Sequence, residues 1–212
     1  MKRKRHQITQ SHKQGPTPSE YLTSLFTSVG VDVNAIMSSR QYSFQKPNQH
    51  DIDSYDLQAV MAMRSKDLEE LRRLHSSGKS MRACNQFGES LMHLCCRRGD
   101  IEIVTFMVQE AKVPCDIRDD YGRTPLHDSL WTAKPNFHVV DVLLEAADPS
   151  VLIAPDVRGA TPFDYARREH YEEWIKFLQS RKETLLQRIK TSKLPTSSTS
   201  VINAATIPRA VG

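Results

Sequence analysis

Three stretches of this 212-residue chain carry side chains that do chemistry in other settings. The first is Gly78-Lys79-Ser80, a Gly-Lys-Ser triplet. A phosphate-cradling loop needs a glycine five residues earlier, and Arg73 stands there. It also needs a strand before it, whereas the preceding residues read as helix. The second is His93, Cys95 and Cys96. On a helix His93 and Cys96 share a face and Cys95 diverges, and zinc prefers four ligands at spacings absent here. Small buried thiols are the better reading, because free cysteine packs as a small apolar residue. The third is His127-Asp128-Ser129. Consecutive helical residues point in different directions, so they do not converge as a nucleophilic triad. Around His50 and Asp51 no set of acid, base and nucleophile converges either. No catalytic, cofactor or metal site is expected.

The elements that hold these residues repeat. Asp119-Asp120-Tyr121-Gly122-Arg123-Thr124-Pro125-Leu126-His127 reads as a turn feeding a capped helix. Asp119 closes the turn with its side chain, and Gly122 takes a backbone angle that other residues resist. Thr124 is the N-cap and Pro125 fits the first helical position. The device occurs upstream at Asn85–His93 and downstream at Asp156–Asp164, with caps at Ser90, Thr124 and Thr161 spaced 34 and 37 residues apart. Such a period indicates stacked repeats. The residues resemble the ankyrin repeat, a β-turn and two antiparallel helices with a Thr-Pro-Leu-His-x-Ala signature. The middle copy has Ser129 in place of the alanine, the first has Leu91 in place of proline, and the third has Asp164 in place of histidine. The resemblance implies a bond from this histidine across to the next turn, so a looser third repeat is expected.

Helix one is expected at Ser90–Arg98, Thr124–Thr132 and Thr161–Arg168. Helix two is expected at Ile101–Ala111, around Val139–Leu144, and around Trp174–Leu178. Ser54–Gly78 aligns with the first copy at an offset of 33 but lacks the turn. Leu57, Val60, Met61 and Met63 would supply the core of its first helix. Terminal repeats often lose their signature, because one face has no neighbour and must be polar.

Outside the repeats, residues 1–18 read as a disordered basic arm. Lys2-Arg3-Lys4-Arg5 is either an import cluster or a solvated basic end. In residues 19–53, Tyr21, Leu22, Leu25, Phe26 and Val29 form one stripe of a helix over Ser19–Val29. Residues Arg40–Asn48 follow as an extended strap. Helix and strap either cover an end of the stack or form a docking peptide. Residues 54–180 are the repeats, 181–190 a helical cap, and 191–212 a Ser/Thr-rich disordered tail. The fold class is an all-α helix-turn-helix solenoid of about four repeats with β-turn tips and disordered basic ends.

The net charge of +4 is unevenly spread: +5 over residues 1–50, 0 over 51–84, −6 over 85–180 and +5 over 181–212. Any nucleic-acid affinity therefore lies in the ends. No run approaches the ~18 apolar residues that span a bilayer. The four cysteines, with no secretory segment evident, suit a reducing compartment, cytoplasm or nucleus.

The resemblance implies that Leu94 and Arg97, Asp128 and Trp131, and Tyr165 and Arg168 face a groove. Phe87, Asp120, Tyr121, Arg123 and Arg158 would stand at or beside the turn tips. Tyr, Trp and Arg dominate interface energetics. Trp131 either faces the groove or packs under the Pro135 insertion. The expectation is a monomeric, non-enzymatic adaptor or regulatory subunit that binds a protein of basic or mixed charge. The alternatives are a nucleic-acid-associated regulator acting through basic tails, and an enzyme with an unrecognised site.

Overall fold

The computed structural model describes residues 15–38 and 46–196. The basic cluster Lys2–Arg5, most of the expected strap and the end of the tail lie outside the described residues. Eleven α-helices run along the described chain, with isolated bridges but no strand among the described residues. Three successive helical pairs and a last unit of one 3-10 turn and one helix stack as an all-α solenoid. α4 (Leu57–Ser65) pairs with α5 (Leu68–Ser76), and α6 (Leu91–Arg98) pairs with α7 (Ile101–Thr105), which continues as a π turn over Phe106–Glu110. α8 (Pro125–Leu130) pairs with α9 (Phe137–Ala146). A 3-10 turn at Pro162–Tyr165 and α10 (Tyr171–Ser180) form the last unit. No helix among the described residues is long and apolar enough to cross a membrane.

Each unit buries its own stripe on its neighbours. Leu91, Met92, Cys95 and Cys96 of α6 are fully buried, as are Val104 and Met107 behind them. The caps hold the helices in register. Ser90 and Thr124 begin α6 and α8, and Gly99 ends α6 in the left-handed region at φ 69°. The longer connection after α8 places Asn136 so that its Nδ2 donates to the Gly99 carbonyl at 2.7 Å, while its Oδ1 caps α9 at Val139 N–H.

The N-terminal helix α1 (Pro18–Ser28) packs on the opposite end of the stack from α4. It meets Pro162–Tyr165, α10, and α11 (Lys182–Thr191), and Ser19 Oγ lies 3.0 Å from Thr161 Oγ1. Leu22, Leu25 and Phe26 are buried there. The expected start at Ser19 moves back to Thr17. Its hydroxyl accepts from Glu20 N–H and its own N–H donates to the Glu20 carboxylate, a reciprocal cap that takes residues 17 and 18 out of the arm. After α1 come α2 (Val33–Ser38) and α3 (Gln49–Ser54). At the other end of the chain, residues 192–196 lie outside any disordered tail. Asp32 N–H donates to the Pro195 carbonyl at 2.9 Å, and Val31 bridges Thr196.

Two further expectations change. The helix anticipated over Thr161–Arg168 is a 3-10 turn of four residues, because the chain leaves the helical region at Ala166 (ψ 140°). Asp164 caps Thr161 within the same turn, accepting from its N–H at 2.7 Å and its hydroxyl at 2.8 Å, but a carboxylate is too short to tie this unit to anything beyond it. In α4, Leu57 and Met61 are not core. They are 76% and 54% exposed, while Ala59, Ala62 and Met63 are buried; at the offset of 33 Leu57 falls on the cap Ser90 and Met61 on the groove-facing Leu94, so neither points into the stack.

Candidate functional site

The turn tips are built alike. Asn85 Oδ1 accepts from Phe87 and Glu89 N–H, Asp119 Oδ1 from Tyr121 and Arg123 N–H, and Asp156 Oδ1 from Arg158 and Ala160 N–H. Each turn closes through a glycine at positive φ, Gly88 at 78°, Gly122 at 76° and Gly159 at 85°. At Gly122 a side chain would also crowd the Val157 backbone nitrogen at 3.3 Å. Successive tips are joined by backbone bonds: Asp120 N–H to the Phe87 carbonyl at 2.8 Å, and Val157 N–H to the Tyr121 carbonyl at 2.9 Å. Phe87 and Tyr121, each about half exposed, therefore stand in one row, with Asp120 and Arg158 exposed beside them.

Behind the row, two histidines tie each unit to the next. His93 Nδ1 accepts from Ser90, and its Nε2 donates to the Arg123 carbonyl at 3.0 Å. His127 Nδ1 accepts from Thr124 N–H at 3.0 Å, and its Nε2 donates to the Ala160 carbonyl at 3.2 Å. Both rings are fully buried. Burial pulls both below the usual histidine range, His127 to about 4, which keeps the neutral form.

Arg123 lies between the row and the inner helices. Its Nε donates to Asp119 Oδ2 at 2.7 Å. The guanidinium lies 5.3 Å from the Tyr121 ring centre and 5.8 Å from that of Trp131, within cation–π range. Trp131 is 54% exposed rather than packed under the Pro135 segment, and meets Tyr165 edge-on at 6.2 Å. Tyr165 in turn stands edge-on to His127 and donates its hydroxyl to Asp156 at 2.6 Å. Burial and that carboxylate push the phenol upward.

The rest of the expected groove set divides. Arg97 is half-buried and bonds Glu89 and, at 2.9 Å, Asp128. Asp128 is fully buried, so it is a floor group and not a surface contact. Burial raises its carboxyl, against the lowering fields of His93, Arg97 and Arg123. Burial also raises Glu89, but the Arg97 bond and charge outweigh it and hold Glu89 low. Arg168 is exposed on a separate 3-10 turn, Arg168–His170, and does not share a helical face with Tyr165. Glu89 escaped the sequence reading, because it stands before the Ser90 cap, outside α6, where helical spacing does not relate it to Arg97.

The chemical candidates are engaged within the fold, except that Asp128 Oδ1 is buried without a hydrogen-bond partner among the described residues. Both His127 nitrogens are bonded, Asp128 faces Arg97, and Ser129 Oγ donates to the Leu126 carbonyl at 2.8 Å. Cys95 and Cys96 are fully buried, and burial pushes the Cys84 and Cys115 thiols to about 11, where they stay protonated. Lys79 pairs with Asp56, and Ser80 Oγ donates to Asp51, whose other oxygen takes the Asn48 amide.

The ankyrin-repeat family profile matches residues 58–152 in three copies. These matched residues run from the turnless α4/α5 pair to the end of the unit containing α8 and α9. The third turn, with its 3-10 segment, falls beyond them. A putative glutaminase 2 of Caenorhabditis elegans is 29% identical over 87 residues, which is 40% of this chain and 14% of that protein. This chain thus spans a small part of that relative's length.

Proposed function

We propose, from the premise that residues 58–152 are a run of ankyrin repeats, that this protein is a non-enzymatic adaptor or regulatory subunit. Its binding unit is the stack from residue 54 to 180. It holds a partner protein along the turn tips and the inner helices. The reading rests on the Tyr121–Arg123–Trp131 cluster. Two half-exposed rings flank a guanidinium that Asp119 already holds in place. Exposed aromatic rings on rigid elements are the side chains that most often anchor an interface. Phe87 extends the row toward the first clear repeat and Arg158 toward the last, with Asp120 beside Tyr121. The net charge of −6 over residues 85–180 favours a partner that presents basic or mixed charge.

The test is a pull-down or proximity-labelling comparison of the wild-type chain with a Tyr121→Ala, Trp131→Ala variant. Loss of two anchors should weaken binding by more than about tenfold, since each such truncation typically costs over 1 kcal/mol. Thermal stability should hardly change, because both rings are half exposed. An unchanged partner set with unchanged stability refutes the assignment.

A further inference from the structure

We infer, resting on the docking face proposed above, that Glu89 is the residue of that face that reads a basic side chain of the partner, an arginine or lysine. Three features of the first clear repeat meet there. The first is a shared cation. Arg97 Nη2 serves both Glu89 Oε1 and Asp128 Oδ2, so two carboxylates divide one guanidinium. The second is what that division leaves undone. Arg97 Nε and Asp128 Oδ1 are both buried without a hydrogen-bond partner among the described residues. Asp128 is fully buried, and a guanidinium and a carboxylate pair best as a fork of two parallel bonds. A fork between Arg97 and Asp128 uses Nε and Oδ1, and the pull of Glu89 on Nη2 keeps it from closing. The third is access. The Glu89 side chain is 31% exposed, and its other oxygen takes the Asn85 amide at 3.4 Å, a long bond.

The repeat register points the same way. At an offset of 34, Phe87 falls on Tyr121, Glu89 on Arg123 and Arg97 on Trp131. In the second repeat a cation stands at this place, within reach of both rings and held by Asp119. In the first repeat the place holds a carboxylate, two residues from the half-exposed Phe87. An arginine or lysine of the partner set on Glu89 puts a cation there again, with its stem beside the Phe87 ring. Arg97, released from Glu89, closes its fork on Asp128, and two orphaned atoms gain partners as the complex forms. An acidic group of the partner does the reverse. It draws Arg97 outward and strips a buried carboxylate of its bonded cation, which is costly.

The chain's own cations outside the described residues join it elsewhere. Residues 39–45, which include Arg40, connect Ser38 to Lys46. Ile36 and Lys46, on either side of them, line a cavity with Gly88 and Ser90 but not with Glu89. Residues 1–14 and 197–212 join at the far end of the stack, where α1 meets α10 and α11 and Val31 bridges Thr196.

The experiment selects short random peptides, displayed on phage, against the full wild-type chain. Binders are expected to be enriched in arginine or lysine. Glu89→Gln should weaken a selected peptide by about tenfold or more, as should replacing its basic residue by glutamine. The two changes together should cost little more than either alone, which marks a direct pair. A merely structural Glu89 would show itself as lost stability on substitution. Here Glu89→Gln should melt as the wild type does. Its Arg97 Nε–H signal in NMR should become protected from exchange, as it does in the wild type when the peptide is added. Arg40→Gln should change none of these results. Binders whose basic residue ignores Glu89 overturn the proposal, as does a selection that yields none. If such binders are still lost on the Tyr121→Ala, Trp131→Ala change, the docking face stands without Glu89. Lost stability in Glu89→Gln with no change at Arg97 Nε also overturns it, and so does a coupling of Glu89 to Arg40 in urea unfolding.

Discussion

Replacing His127 tests the claim that a neutral histidine clamps one repeat to the next. In the fold its Nδ1 must accept from Thr124 N–H while its Nε2 donates to the Ala160 carbonyl. An imidazolium carries a proton on both nitrogens and would oppose a donor to a donor. Burial moves the pKa down from 6.5 to about 4, helped by Arg118 and His93 and resisted by the Ala160 carbonyl and Asp156. Because the folded value lies below the unfolded one, the unfolded chain takes up this proton first. The contribution is whole above about pH 6.5 and is lost as pH falls toward 4. Over that window the loss is about 3 kcal/mol, and about 2 kcal/mol is already gone at pH 5. His127→Gln removes the titration and should cost about 1–2 kcal/mol at neutral pH through weakened hydrogen bonds. Urea unfolding from pH 7.5 to 5 measures both effects. The wild type should lose stability faster than the variant on acidification, by nearly one proton, about 1.4 kcal/mol per pH unit below pH 6. His93 has the same bonding and shifts the same way, so His93→Gln should remove a second, separate proton. Parallel pH curves for wild type and His127→Gln would refute the clamp.

Two further substitutions probe the frame around the site. Arg97→Met strands the fully buried Asp128 and frees Glu89, and should lower stability by roughly 3 kcal/mol, read from the urea midpoint; adding Asp128→Asn should restore part of it by removing the stranded charge. Phe26→Ala empties a fully buried position between α1 and the last repeat, and should cost about 3–5 kcal/mol in one cooperative transition. A loss confined to α1, with the repeats melting as before, would mean that α1 is only an accessory.

Local devices were legible in the chain because their partners lie within a few residues. Asn85, Asp119 and Asp156 close their turns onto N–H groups two and four residues ahead, and Ser90 and Thr124 cap within one turn. The α1 stripe follows from apolar spacing alone. What spacing does not carry is the identity of the neighbour across the gap. Leu57 and Met61 are apolar and one helical turn apart, yet the repeat register puts them on the cap Ser90 and the groove position Leu94, and both are exposed. Asp128 sits at a groove-facing register, but Arg97, 31 residues earlier, turns it into a buried counter-charge. The substitution of Asp164 for histidine was visible, whereas the shortening of that helix to a 3-10 turn was not. Ser19, 142 residues before Thr161, reaches that cap, and α1 packs against the turn. The aromatic row shows both limits together. Turn chemistry places Phe87 and Tyr121 at the tips, but only the Asp120–Phe87 and Val157–Tyr121 backbone bonds bring the tips into one continuous edge. A repeat protein is therefore most readable inside each unit and least readable at its ends. The ends of this stack are unlike: one carries the chain's own helix, and at the other Leu57 and Met61 stand exposed.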